Sequence, residues 1–251
     1  MKIGIAGYGF VGQAHELMLK DYHEILISDP DKGYYADLSH ADAIIVCVST
    51  PQGSHGGCKM DNVYEVLEPV APGVPILIKS TLSVEGWKML DHVFPNHNIT
   101  FSPEFLRAAH WQEDALNTKH FYLGGKGTQF WSDVLLQALG PISISIEKPA
   151  ELVAAKALRN SFLALKVSFF NQVYDYAQAH GLDYNAVADV IGADERIGTS
   201  HTTITEQRGF GGHCFPKDVK ATITSAQTYN SRFTLLEEAL AYNSTVRKDN
   251  I

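Results

Sequence analysis

The sequence predicts an α/β fold: a doubly wound, mainly parallel sheet over residues 1–148, then an all-helical domain over residues 149–251 with a long central helix. Three observations carry this. Short apolar runs bounded by turn residues lie at 3–7, 24–28, 43–48, 75–79, 98–102, 119–123 and 142–146. Helical patterns at 10–20, 61–68, 84–93 and 127–139 lie between most of them, and strands alternating with helices argue for a parallel sheet covered on both faces. Near residue 150 the alternation stops, and Glu151 to His180 reads as one helix with Gly181 as its stop.

The first run leads into Gly7-Tyr8-Gly9-Phe10-Val11-Gly12, a strand, a GxGxxG turn and a helix. Gly7 would make the tight turn, Gly9 would let backbone approach a pyrophosphate, and Gly12 would let helix and strand pack closely. Phe10 and Val11 open the helix, whose unpaired N–H groups would take the phosphates. The second run ends at Asp29, 17 residues beyond Gly12. A carboxylate there accepts a ribose 2′-OH and repels a 2′-phosphate, which favours NAD over NADP and makes the sheet Rossmann-type. A glycine-rich turn with an incidental aspartate is the alternative. Only 14 residues (29–42) separate the second run from the third, barely enough for a turn of helix.

The long helix would span about 45 Å at 1.5 Å per residue. Its middle, Phe162 to Phe170, is apolar on nearly every face, which suits a core or a subunit interface and predicts a homodimer through residues 151–180. Lys156 and Asn160, four apart, share a face and interrupt the stripe of Leu152, Leu163 and Val167. They are either a functional pair or a lysine snorkelling at a helix edge. Shorter helical patterns follow at 183–191, 217–229 and 234–247. Before the second of these stands Gly209-Phe210-Gly211-Gly212-His213-Cys214-Phe215-Pro216-Lys217-Asp218. Pro216 suits a first helical turn, and a thiol at a helix N-terminus beside Lys217 is favoured as thiolate, hence as nucleophile. A lone cysteine is more often a small buried hydrophobe; Cys47, inside an apolar strand, reads so, and Cys58 reads as incidental.

Composition sets the outer limits. The 251 residues are 45% hydrophobic and 19% charged, ordinary for a globular chain. A net charge of −8 argues against a broad grip on nucleic acid. No run approaches the 18–20 apolar residues of a membrane span, and the N-terminus is too short and glycine-rich for a signal peptide, so a cytoplasmic protein is expected. Three cysteines without CxxC spacing support neither a disulfide framework nor a metal site.

Six pieces in order resemble the UDP-glucose/GDP-mannose dehydrogenase family: the glycine turn 7–12, Val48-Ser49-Thr50-Pro51, Lys79-Ser80-Thr81, Ser102-Pro103-Glu104-Phe105-Leu106-Arg107, Lys156 with Asn160, and Gly209 through Asp218. The resemblance implies a nucleotide-sugar substrate whose primary alcohol is oxidised twice by NAD, through a thiohemiacetal and a thioester on Cys214. It implies that Lys156 and Asn160 stabilise an oxyanion, that Asp218 orients Lys156 or a water, and that Thr81 and Glu104 position the hydrolytic water. Thr50 and Thr81 would line the nicotinamide side. Phe105, Leu106 and the backbone of Phe210, Gly211 and Gly212 would hold the sugar, and Arg196 would reach a phosphate across the dimer. The sequence departs from the family in three places. Ala108 stands where the family has a second glutamate, the stretch 31–41 is short, and the chain ends at Lys248-Asp249-Asn250-Ile251, where a further nucleotide-gripping domain would begin. A non-catalytic NAD-binding dimeric remnant and a hydroxyacid dehydrogenase of similar layout are the alternatives.

Overall fold

The computed structural model describes residues 1–53, 57–212 and 214–249. Strands β1 (Lys2–Ala6), β2 (Glu24–Asp29), β3 (Tyr34–Tyr35), β4 (Ala43–Val46), β5 (Pro75–Ile78), β6 (Asn98–Phe101), β7 (His120–Gly125) and β8 (Ser143–Ile146) form one sheet ordered β3-β2-β1-β4-β5-β6-β7-β8. Helices α1 (Phe10–Leu19), α2 (Asp61–Leu67), α3 (Val84–Val93), α4 (Trp111–Asn117) and α5 (Thr128–Leu139) connect the strands. Then come α6 (Pro149–Ala179), α7 (Tyr184–Gly192), α8 (Phe215–Thr228) and α9 (Thr234–Val246).

β1 runs parallel to β2 on one side and β4 on the other, with Gly4 opposite both Leu26 and Ile44. The winding direction therefore reverses around β1, and the crevice at the carboxyl ends of these strands is where such sheets bind ligands. Alternation along β4 feeds both layers. Ile44 packs with Ile76, Ile78 and Phe101 on one face. Ile45 packs with Ile3, Ile5 and Leu77 on the other, against Trp131. Each such side chain taken fully from water contributes about 1.5–3 kcal/mol.

The structure adds to the sequence reading in two places. The stretch 29–42 holds no α-helix: Pro30–Lys32 make a 3-10 turn, Gly33 takes φ +80, and β3 folds back antiparallel on β2. β7 lies antiparallel to β6, with Phe101 opposite Gly124, although α4 lies between them in the chain. The contacts gather residues up to Lys156 into one compact unit and those from Ala157 on into a second. Leu152 and Val153 belong to the sheet core, which draws the first turns of α6 into that unit.

The helical unit has its own core. Ala164, Phe210, Val219 and Leu236 form one cluster, and Phe170, Ala177, Tyr184 and Ala188 another. α6 ends at the expected glycine. Gly181 takes φ +65, and the Leu182 N–H donates to the Ala177 carbonyl at 2.9 Å, the bond that closes a Schellman cap. Among the described residues, no helix is long and apolar enough to cross a membrane.

Candidate active site

In the sheet unit, a cleft of about 960 Å³ opens at the carboxyl ends of β1, β2 and β4. Gly7, Gly9, Phe10, Val11 and Asp29 line it. Each glycine has its own reason. Gly7 takes φ +88, and a Cβ there would stand 2.7 Å from the Cys47 backbone. A Cβ on Gly12 would come within 2.2 Å of the Gly7 carbonyl oxygen, so helix and turn touch there. A Cβ on Gly9 would meet nothing within 4 Å, so that position faces open space where a ligand's phosphates can approach. Gly9 caps α1 without a side-chain bond, so the first N–H groups of the helix are not spent on a cap. Asp29 is fixed by the Tyr8 N–H, which donates to its Oδ2 at 2.6 Å. Lys32 Nζ in turn donates to the Tyr8 carbonyl at 2.7 Å. These donors and this carboxylate fit a dinucleotide.

The same unit holds a carboxylate between cations. Lys156 Nζ donates to Glu104 Oε1 at 2.7 Å, and the Leu106 N–H donates to Oε2 at 3.0 Å. Burial pushes the Glu104 carboxyl up, but the Lys156 ammonium, the Leu106 N–H and the charge of Lys79 outweigh it and hold Glu104 below its ordinary value. The Lys156 ammonium is thus paired within the fold, which a snorkelling lysine is not. Thr50 Oγ1 donates to the Thr81 carbonyl at 2.6 Å, so the two threonines stand together. Phe105 is exposed and meets Tyr122 edge-on. Ala108 opens an exposed 3-10 turn.

In the helical unit, Cys214 is exposed and occupies the N-cap of α8, with Pro216 in the first turn. Asp218, one turn on, is buried and accepts from Asn160 Nδ2 at 2.6 Å. Lys217 Nζ stands 3.3 Å from its other oxygen. The partner the structure gives Asp218 is therefore Asn160, four residues along α6 from Lys156, and the Lys217 charge is directed to Asp218. Arg196 is exposed and chelates Asp194 through Nε at 2.9 and 3.1 Å. His213 lies outside the described residues.

Two asparagines that the sequence did not single out hold the glycine-rich loop. Asn171 Oδ1 accepts from the Gly209 N–H at 3.0 Å and from Arg208 Nε at 2.9 Å. Asn243 takes both polar groups of Phe210, accepting its N–H at 2.7 Å and donating to its carbonyl at 3.0 Å. The Phe210 ring is buried in the unit's core, so Phe210 anchors the loop. A Cβ on Gly209 would lie 2.2 Å from Asn243 Oδ1, and one on Gly211 2.3 Å from the Arg247 guanidinium. The only signal for these asparagines in the sequence is an amide inside an otherwise apolar helical pattern.

A doubly wound sheet with a glycine turn at its switch point belongs to the dinucleotide-binding class. Within that class the chain belongs to the UDP-glucose/GDP-mannose dehydrogenase family: the family's NAD-binding domain matches residues 29–134 and its central domain residues 148–245. Its cofactor is accordingly NAD. The chain is 28% identical over 229 residues to a UDP-glucose 6-dehydrogenase of Bacillus subtilis, covering 85% of this chain and 51% of that one. It is 31% identical over 193 residues to a UDP-glucose 6-dehydrogenase of Campylobacter jejuni, covering 75% of this chain and 48% of that one. It thus spans about half the length of these curated relatives. Among solved structures it resembles a UDP-glucose dehydrogenase of Pyrobaculum islandicum, with TM-score 0.83 and 24% identity over 97% of this chain and 68% of the other. It also resembles a 3-hydroxyisobutyrate dehydrogenase of Mycobacterium tuberculosis, with TM-score 0.75 and 18% identity over 97% and 93%. Because both enzymes share the fold, the fold alone does not select a chemistry.

Proposed function

We propose that this chain is an NAD-dependent nucleotide-sugar dehydrogenase of the UDP-glucose 6-dehydrogenase type, taking a sugar primary alcohol to a carboxylate through two oxidations. Bound NAD+ supplies the hydride acceptor for each oxidation. Gly7, Gly9, Phe10, Val11 and Gly12 seat the pyrophosphate, Asp29 holds the ribose and selects against a 2′-phosphate, and Thr50 and Thr81 line the nicotinamide side. Phe105, Leu106 and the backbone from Phe210 to Gly212 hold the sugar.

The chemistry falls to a few side chains. Lys156 and Asn160 stabilise the oxygen as the alcohol gives its proton to solvent water and its carbon gives up a hydride. The Cys214 thiolate adds to the resulting aldehyde carbon, and the oxygen takes a proton to give a thiohemiacetal. Loss of that proton and of the second hydride leaves a thioester. Glu104, with Thr81, orients a water and takes its proton as it attacks; the acid leaves and Cys214 is returned as thiol.

The observation that carries this reading is Cys214 at the start of α8, one turn from an Asp218 fixed by Asn160. A hydroxyacid dehydrogenase would have no use for that thiol. The test is NAD+ reduction with a panel of nucleotide sugars, read by absorbance and by mass of the product. Acid formation at two NADH per sugar, absent in Cys214→Ser, supports the reading. NAD+ binding without reduction of any substrate overturns it in favour of a non-catalytic remnant.

The helical unit further supports a homodimer through α6. Leu158, Phe162, Phe169 and Tyr176 are all exposed, and their spacings of four, seven and seven place them in one apolar stripe. Arg196 would then serve the partner's phosphate site.

A further inference from the structure

The reaction described above leaves one buried ion unused. Lys79 follows the last residue of β5, and its side chain lies inside the sheet unit, 3% exposed. Its ammonium donates to Ser102 Oγ at 2.9 Å and to the Pro103 carbonyl at 3.1 Å, the two residues that precede Glu104. Few proteins bury a lysine without a charge to answer it. Here Glu104, beyond β6, is the carboxylate within electrostatic reach, and it is already bonded to Lys156 from α6. The remaining titratable groups that face Lys79 are Cys47, beyond β4, and His15 on α1. Burial pushes the Cys47 thiol up to about 12 and His15 down to about 3, so both are neutral near pH 7. The cluster then reduces to one carboxylate and two ammonium groups.

We propose that Lys79 is a positioning residue for Glu104: its ammonium ties the Ser102–Pro103 segment to the end of β5 and, with Lys156, keeps Glu104 ionised and fixed. With alanine at position 108, no second carboxylate shares this duty, so the charge state of Glu104 decides whether a base is present. Lys79 is itself pushed down to about 8 by burial, with Glu104 acting to keep it charged. Each group thus holds the other in its ionic form.

The proposal rests on the assignment of Glu104 as the base, yet its deciding measurement needs no substrate. The protein is labelled with 13Cδ-glutamate, the Glu104 signal is assigned by Glu104→Gln, and the carboxyl is titrated by NMR in wild type, Lys79→Met and Lys79→Arg. Lys79→Gln, which keeps a donor for Ser102 and Pro103 but no charge, replaces Lys79→Met if the latter does not fold. The Glu104 midpoint is expected to rise by about half a pH unit or more when the charge is removed and to return toward wild type in Lys79→Arg. The acid limb of kcat/KM should move to higher pH by the same amount, with KM for NAD+ unchanged. An unmoved midpoint in the uncharged variants overturns the proposal and makes Lys79 a packing strut. A moved midpoint without nucleotide-sugar oxidation upholds it and faults the assigned reaction instead.

Discussion

Cys47 and Cys214 show how placement decides what one side chain can do. Burial takes Cys47 up to about 12, so it carries almost no thiolate near neutral pH. Cys214 is exposed at the start of α8, open to reagents in solvent. Iodoacetamide at pH 7.5 should therefore modify Cys214 well before Cys47, as read by peptide mapping; preferential labelling of Cys47 would remove Cys214 as nucleophile. His15 makes a second prediction at this scale. Burial, then the Lys79 charge, lowers it to about 3 against an ordinary 6.5, and its Nε2 is buried without a partner. Between those values the unfolded chain takes up a proton that the folded chain refuses, so stability falls as pH drops through that window. His15→Leu should flatten that fall, measured as denaturation midpoints from pH 7 to 4. The Val11 carbonyl, which receives His15 Nδ1 at 2.8 Å, keeps its helical N–H partner in the variant.

Among the elements, α6 carries the clearest expectation. Phe162 is 63% and Phe169 55% exposed, while Ala164 and Phe170 on the same helix are buried. Replacing both exposed rings by glutamate should leave the helical core intact, since Phe162 and Phe169 are not among its buried members and Phe169 meets the buried Phe170 only edge-on, but abolish a dimer. Light scattering at micromolar concentration decides: a wild-type monomer would refute the interface, whereas a dimer that becomes monomeric in the double variant would locate it. α6 was also the element most legible in the sequence, because a thirty-residue apolar pattern ending at glycine has few other solutions. β3 was not legible. Two exposed tyrosines, Tyr34 and Tyr35, form a strand only because β2 offers them its edge, a pairing set after Gly33 has turned the chain. α4 escaped for a related reason: it buries only Ala115, so no apolar period marks it.

For the whole molecule, the site was legible where chemistry sits in compact motifs and obscure where it depends on distant pairs. The glycine turn, Asp29 and the Cys214 segment could each be read locally. The bond from Lys156 to Glu104 joins residues 52 apart, and that from Asn160 to Asp218 joins residues 58 apart, so only folding makes them partners. Lys79 stands in the sequence only as the first residue of Lys79-Ser80-Thr81, with nothing local to mark its side chain as buried. In the proposed reaction, Ala108 in place of a second glutamate leaves hydrolysis to Glu104 alone, and that step should be the slow one. A thioester on Cys214 should then accumulate in turnover and appear as added mass on the acid-quenched protein. Its absence while NADH is still produced would show that hydrolysis keeps pace without a second carboxylate.

The hold that Asn171 and Asn243 keep on Gly209 and Phe210 bears on time as well as shape. A segment with no helix or strand of its own ordinarily trades its amide protons with solvent in moments. Here the two amides donate to buried side-chain oxygens, so releasing either one requires α6 or α9 to let go. In deuterated solvent Gly209 and Phe210 should retain their protons about as long as the helical core does, while the exposed turn around Arg196 loses its own at once. Asn243→Ala should erase that retention at Phe210 first, marking the loop as a strut whose stiffness is borrowed from its neighbours.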